Sequence, residues 1–216
     1  MSVESIEDYL GAIYRLRQEA TTPLPLSQLG EYFAFSPVSI HEMIQKLDRQ
    51  GLVQYIPYRG VLLTAAGEEE AVALIQRHRI WERFLTDLLE FSWDEAHQLA
   101  EHLEHAAPQA VTQRLARLLG NPERCPHGGP IPPQPEAPGG RPLTEIAPGV
   151  QVEVLRIKPE TPEALQFLQA EQLGPRALLR VLAHSAEHTL VETQERRVSL
   201  PATIAQTLWV IADFGF

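Results

Sequence analysis

The chain has 216 residues, of which 44% are hydrophobic and 21% charged, with one cysteine and a formal net charge of −10 at pH 7. This length suits two or three domains with real cores, the single thiol excludes a disulfide framework, and the apolar runs are too short to span a bilayer. The negative balance argues against indiscriminate nucleic-acid binding, which needs Lys and Arg to neutralise phosphates, but leaves room for a local DNA-reading face.

The first residues, Met1-Ser-Val-Glu, lack the basic-then-apolar pattern of a secretion signal, so a cytoplasmic protein is expected. A first helix is predicted from Ser5, which can cap it. Glu7 and Asp8 sit in its first turn, and Ile6, Leu10, Ile13 and Leu16 form an apolar stripe. Asp8 there has an ordinary role as a carboxylate that compensates the helix dipole. A short second helix follows the turn at Thr21-Thr-Pro-Leu-Pro. Ser36 can then cap a third, with Pro37 at its first position, where a missing N–H costs nothing, and Gly51 stopping it. Two β-prone runs flank Pro57-Tyr-Arg-Gly60 and read as a hairpin, after which Thr64 opens a fourth helix.

Helix-turn-helix followed by a two-stranded wing is the winged-helix arrangement, expected over residues 1–75. Its candidate DNA face holds Ser36, Pro37, Ser39 and His41 at the start of the third helix. Lys46 and Arg49 lie further along it, and Tyr58 and Arg59 occupy the wing tip. Ser and His can read base edges, while Lys and Arg suit phosphates; Glu42 repels phosphate unless it accepts from a cytosine amine. Residues 1–75 carry five Lys or Arg against ten Asp or Glu, so this module should bind DNA poorly by itself.

The chemistry concentrates between His78 and His105. His78 and Glu82 stand one turn apart on one helix. In His97-Gln-Leu-Ala-Glu101-His-Leu-Glu104-His105, residues 97, 101, 104 and 105 share one face of another, since steps of three, four, seven and eight return to the same side. Packed together, the two helices can close a cage of nitrogen and oxygen ligands for a first-row divalent metal. The plainer alternative is a pair of solvated amphipathic helices. His102 is turned away by one residue and reads as a surface histidine.

Nine of the eighteen prolines fall between residues 119 and 149, a composition that predicts an extended, semi-rigid interdomain linker over 121–148. Cys125 and His127 lie in it as a weak candidate metal pair, two ligands in a loop. From Gly149 onward, alternating runs at 150–157, 177–183 and 189–195 predict strands, with a short helix near 161–168. Residues 198–211 suggest another short helix and a closing strand; together these predict a small barrel.

The order of these features resembles the diphtheria-toxin-repressor and manganese-transport-regulator family of metal-dependent transcriptional repressors. The likeness lies in the winged helix, His78-x-x-x-Glu82, His97-x-x-x-Glu101-x-x-Glu104-His105 and Cys125-Pro-His-Gly-Gly-Pro-Ile-Pro132. It covers about residues 5–132 well, and Ser5-Ile-Glu-Asp8-Tyr-Leu and Tyr58-Arg-Gly-Val-Leu-Leu-Thr are nearest the manganese-sensing branch. The resemblance implies a mainly α protein with a small β domain: a winged helix (1–75), a helical dimerisation and metal-binding domain (76–120), the linker, and an SH3-like barrel (149–216). It assigns a primary metal site to Asp8, Glu101, Glu104 and His105, and an ancillary site to His78, Glu82 and His97, with His78 serving the primary cluster in manganese sensors.

The iron branch has sulfur ligands where Asp8 and Glu101 stand here. Hard oxygen donors favour Mn²⁺, with Fe²⁺ as the alternative. The second carboxylate that the manganese branch has on the first helix is Gly11 in this chain. The glutamate and glutamine that iron sensors draw from the SH3-like domain fall near Arg156 and Pro159, leaving Glu153, Glu160 or Glu163 as substitutes. The resemblance implies a homodimer through residues 70–119 that binds operator DNA and represses metal-uptake genes. A metal gripping both Asp8 and the dimerisation helix would lock the reading domain at one angle. Two rivals stand beside it: a winged-helix regulator of an organic ligand with a merely structural His/Glu cluster, and a metallohydrolase.

Overall fold

The computed structural model describes residues 6–17, 21–134 and 140–212. The chain divides into two compact units, Met1–Gln76 and Arg77–Phe216. Ser5, the expected cap of the first helix, lies outside the described residues. No described helix is long and apolar enough to cross a membrane.

The first unit is a winged helix: α1 (Ile6–Leu16), α2 (Leu26–Phe33), α3 (Pro37–Arg49) and a hairpin of β1 (Val53–Ile56) and β2 (Gly60–Leu63). Ser36 caps α3 by accepting from the Ser39 N–H at 3.2 Å, with Pro37 in the first turn, and Gly51 leaves the helix at φ +74°. The helices bury Leu10, Ile13, Leu29, Ile40, Ile44 and Leu47 against Val53 and Val61 of the wing. Leu24 forms an isolated antiparallel bridge with Val61 along the edge of the hairpin. This contact explains Gly60: a Cβ there would stand 2.1 Å from the Leu24 carbonyl oxygen, at φ +129°. Gly11, where the manganese branch has a carboxylate, is buried, and a Cβ there would lie 2.9 Å from Leu74. A larger residue there would require the end of the Leu74 side chain to shift.

Helix α4 (Ala65–Leu89) begins in the first unit and ends in the second. Thr64 caps it through Oγ1 to the Gly67 N–H, 3.2 Å, and Arg17 makes a two-point ion pair with Glu68 near its start. The second unit continues with α5 (Trp93–Ala106), α6 (Gln109–Leu118) and a six-stranded antiparallel sheet. Its strands are β3 (Arg141–Pro142), β4 (Gln151–Ile157), β5 (Leu178–His184), β6 (His188–Glu192), β7 (Arg197–Pro201) and β8 (Leu208–Ile211), in the order β3-β8-β4-β5-β6-β7. Helices α7 (Pro162–Ala170) and α8 (Ala202–Ala205) close its core around Val152, Val154, Leu165, Leu168, Val181 and Val210. This is the expected SH3-like unit. Helices α5 and α6, expected in a domain of their own, fall in the same compact unit as the sheet.

The linker expectation needs correction. Residues 125–132 are buried throughout, and the loop is laid onto β4 by the Ile157 N–H donating to the His127 carbonyl at 2.9 Å. Its prolines and glycines shape a packed turn.

Helices α5 and α7 are tied by two bonds: Gln169 Oε1 accepts from the Trp93 N–H at 2.7 Å, and Gln166 Nε2 donates to Asp94 Oδ2 at 2.7 Å. The Gln166 bond outweighs burial and holds the Asp94 carboxyl below its usual pKa. Asp94→Ala is therefore expected to cost about 1.5–3 kcal/mol in urea unfolding at neutral pH, the scale of a hydrogen bond to a charged group. Because the folded pKa is depressed, that contribution is present above the ordinary Asp pKa and fades as pH falls through the lower folded value.

Candidate metal centre

Two residues of α4 and one of α5 build the first half of the centre. Ala96 and Ala100 are fully buried against Trp81 and Leu85, so two small side chains let α5 approach α4 closely. The Glu95 carboxylate fixes the start of α5 by accepting from the Ser92 N–H (3.1 Å) and Oγ (2.6 Å). At that spacing His78 Nε2 stands 2.9 Å from Glu82 Oε1 and 3.1 Å from His97 Nδ1, while His97 Nδ1 is 2.8 Å from the same Glu82 oxygen. The other ring nitrogen of His78 meets Glu104 Oε2 at 2.6 Å. His78, Glu82 and Glu104 are all buried.

The second half comes from the loop at 125–132 and the turn between β4 and α7. His127 is completely buried, with Nδ1 3.3 Å from Glu82 Oε1 and 3.7 Å from Glu160 Oε1. Glu160 Oε2 also lies 3.6 Å from His97 Nδ1. The loop can come this close because Gly128 has no side chain: at φ +87°, a Cβ would stand 2.1 Å from the Leu155 carbonyl oxygen. Gly128→Ala is expected to push the loop off β4, costing about 1–3 kcal/mol of stability, the scale of backbone strain, and weakening metal binding with it. Parallel urea unfolding and metal titration check both effects.

The donor atoms of His78, Glu82, His97 and Glu160 lie within 4.8 Å of one another, as do those of Glu82, Cys125 and His127, so Glu82 belongs to both sets. Electrostatics show what this arrangement wants. Burial pushes the Glu82 carboxyl up, but the charges of His127 and His78 overcome it and hold the group well below the carboxylate range. Burial likewise lowers His127, yet Glu82 raises it well above an ordinary imidazole. Glu160 falls to about 2: burial and the Glu82 charge oppose ionisation, and His127 and His97 override them. The Cys125 thiol is pushed up by its burial and by Glu82.

Among the described residues, nothing hydrogen-bonds to either ring nitrogen of His127 or to Glu82 Oε2, although all three atoms are buried. A buried polar atom without a partner costs about 1–3 kcal/mol. Converging imidazole and carboxylate groups fit a divalent first-row cation in number and type, the ion taking the place of the protons that the imidazoles otherwise carry.

Comparison with known proteins decides the family. Residues 1–61 match the iron dependent repressor N-terminal DNA binding domain, 64–133 the iron dependent repressor metal binding and dimerisation domain, and 141–212 the FeoA domain. The chain is 35% identical over 130 residues to the iron-dependent repressor IdeR of Mycobacterium leprae (strain TN), a match covering 60% of this chain and 56% of that protein. It is 33% identical over 130 residues to the diphtheria toxin repressor of Corynebacterium diphtheriae, covering 60% and 57%. The chain thus spans little more than half the length of these curated relatives. A solved manganese-dependent transcriptional repressor in complex with manganese superposes with TM-score 0.86 at 33% identity, over 96% of this chain and 99% of that one. The chain belongs to the diphtheria-toxin-repressor and manganese-transport-regulator family.

The residues expected from the family resemblance are placed unevenly. His78, Glu82 and His97, the ancillary trio, come together. Of the three candidate substitutes, Glu160 reaches them; Glu153 lies in β4 opposite Leu178 and Ile211, and Glu163 is exposed at the start of α7. Arg156 lies over the Trp209 ring at 5.0 Å, and Pro159 is exposed. Glu104 is buried on His78, with His105 Nε2 3.4 Å from its other oxygen. Glu101 shares their helix face but is 56% exposed, 3.7 Å from His97. Asp8 sits in the first turn of α1. His102 is exposed and bonded to the Gln98 carbonyl at 2.8 Å, as a surface histidine should be.

On the candidate DNA face, Ser36 and Ser39 share a hydroxyl bond of 2.9 Å, and Ser36, Pro37, Ser39, Lys46, Tyr58 and Arg59 are exposed. His41 packs edge-on against Tyr55 of the wing. Tyr58 projects fully at φ +64°. His127 carried only a weak signal in the sequence, a histidine between proline and glycines. Val38, beside Pro37 on α3, is 67% exposed.

Proposed function

We propose that this chain is a divalent-metal-dependent DNA-binding transcriptional regulator that controls metal-homeostasis genes such as those for metal uptake, responding to Mn²⁺ or Fe²⁺. One observation carries the reading: a winged helix shares a chain with a buried His/Glu cluster in which the His127 ring nitrogens and Glu82 Oε2 have no hydrogen bond among the described residues. His78, Glu82, His97 and Glu160 would hold the ion, with His127 and Cys125 beside them sharing Glu82. When bound, the ion supplies a fixed double positive charge among these carboxylates. The oxygen and imidazole donors favour Mn²⁺; the Cys125 thiol, a softer donor, keeps Fe²⁺ in the proposal.

The resemblance assigns a second ligand set, Asp8 with Glu101, Glu104 and His105, which we carry as part of the proposal. His78 and Arg77 fix α5 for that role: His78 Nδ1 meets the Glu104 carboxylate, and Arg77 Nε donates to the Glu104 carbonyl at 2.8 Å. For DNA, Ser36, Ser39 and His41 would read base edges and Lys46 and Arg59 grip phosphate, with Pro37 and Tyr58 in apolar contact. Exposed Leu88, Leu89, Leu99, Val111 and Leu118 on α4, α5 and α6 supply apolar surface for a homodimer.

The test is promoter DNA from a metal-transporter gene, titrated with chelator-stripped protein with and without Mn²⁺ or Fe²⁺, alongside Asp8→Ala and Glu104→Ala. Metal-tightened binding that both substitutions remove supports the switch. Binding indifferent to metal favours a regulator of another effector.

A further inference from the structure

The ring of His127 makes no hydrogen bond among the described residues; its side chain is held only by ion-pair approaches to Glu82 and Glu160 and by edge-on contacts with Trp93 and His97. The backbone of the loop that carries it therefore has a large share in setting its place. That loop is braced internally: the Cys125 N–H donates to the Gly129 carbonyl at 2.8 Å, the Gly128 N–H to the Cys125 carbonyl at 3.0 Å, and Arg124 Nη1 to the Gly128 carbonyl at 2.9 Å. One side is anchored to β4 through the Ile157 N–H bond to His127. The other is held from α4 itself, where Arg79 Nη1 donates to the Pro130 carbonyl. The same guanidinium lies so close over Gly129 that a Cβ there would stand 3.1 Å from two of its atoms. Arg79 directly follows His78 and lies within a turn of Glu82, so the helix that presents two donors also holds the loop that presents a third.

We propose that Arg79 is a positioning residue of the metal centre. By clamping Gly129 and Pro130 onto α4, it holds His127 against Glu82 and so sets how tightly the centre binds its ion. The inference rests on the reading above that His127 is a donor. It asks more of Gly129 than flexibility, because the glycine leaves the flat surface on which the guanidinium lies. A group that orients a metal donor typically contributes 10–100-fold in affinity, and residues acting through one another are not additive.

The experiment uses the full-length, chelator-stripped protein with Co²⁺ as probe, following the visible absorption bands and the affinity together. The variants are Arg79→Ala, Arg79→Lys, Gly129→Ala, His127→Ala and the Arg79→Ala/His127→Ala double, with urea unfolding of each stripped protein as a folding check. Arg79→Ala should weaken Co²⁺ binding by about 10–100-fold and move the bands toward those of His127→Ala. Arg79→Lys, which keeps one donor but no flat face, should fall between. Gly129→Ala, which displaces the guanidinium without deleting it, should reproduce Arg79→Ala, and the double variant should bind no worse than His127→Ala. If His127→Ala loses affinity while Arg79→Ala and Gly129→Ala bind as the parent does, or if the losses simply add, Arg79 has no positioning role. If His127→Ala itself changes neither bands nor affinity, the donor reading of His127 fails and this inference falls with it.

Discussion

Replacing Glu82 by alanine is expected to abolish tight metal binding at the buried centre and to destabilise the metal-free protein by about 3–5 kcal/mol, the scale for removing one partner from a buried charge cluster. Three imidazole nitrogens converge on one Glu82 oxygen: His97 at 2.8 Å, His78 at 2.9 Å and His127 at 3.3 Å. Without that carboxylate, the raised imidazole of His127 loses the charge that sustains it, and both donor sets lose the member they share. Glu82→Gln separates charge from volume. If glutamine costs nearly as much as alanine, charge is the cause; if it is nearly silent in unfolding, the cavity is. Glu101→Ala, at a side chain 56% exposed, should shift stability by no more than about 0.5 kcal/mol. Urea unfolding of the three stripped variants reads all of this.

The second large effect is on DNA. Saturating Mn²⁺ or Fe²⁺ should tighten operator binding by about 5–150-fold, a coupling of 1–3 kcal/mol. The reason begins with charge: residues 1–75 hold five basic and ten acidic side chains, and the exposed DNA face offers chiefly Lys46, Arg49 and Arg59. Few counterions are released on binding, so the metal-free protein should bind weakly and with a shallow salt dependence. Arg59→Ala should weaken binding uniformly across sequences and lower the salt slope by about 1, while His41→Ala should change sequence preference. Fluorescence anisotropy with a labelled duplex, at several fixed salt concentrations, separates these contributions.

The winged helix was legible because its signals are local. Ser36, Pro37 and Gly51 act within a few residues of the helix they bound, and each does so in the structure. The Leu24 bridge to Val61 was not, since one paired residue between two prolines has no period to detect. His78, Glu82 and His97 were legible for the same reason as the helices that carry them: a spacing of four or a helical face is visible in sequence. His127 appeared only as half of a weak loop pair and Glu160 only as one of three interchangeable glutamates, because both reach Glu82 from loops through tertiary packing alone. The glycines and prolines of residues 125–132 misled in an instructive way. Composition read them as a linker, whereas Gly128 is there for close approach to Leu155 and Gly129 for the Arg79 guanidinium. The stripe from His97 to His105 was a correct piece of helix geometry, but α4 covers only part of it, which is why Glu104 is buried and Glu101 is not.

If one chain binds metal and DNA in a linked equilibrium, the linkage must be reciprocal. The most direct measurement is the Mn²⁺ affinity of the stripped protein with and without saturating operator DNA. DNA is expected to tighten Mn²⁺ binding by the same factor by which Mn²⁺ tightens DNA binding, and Glu82→Gln to remove both. An Mn²⁺ affinity unchanged by DNA would contradict this linkage, leaving the buried His/Glu cluster a structural site with no part in the switch.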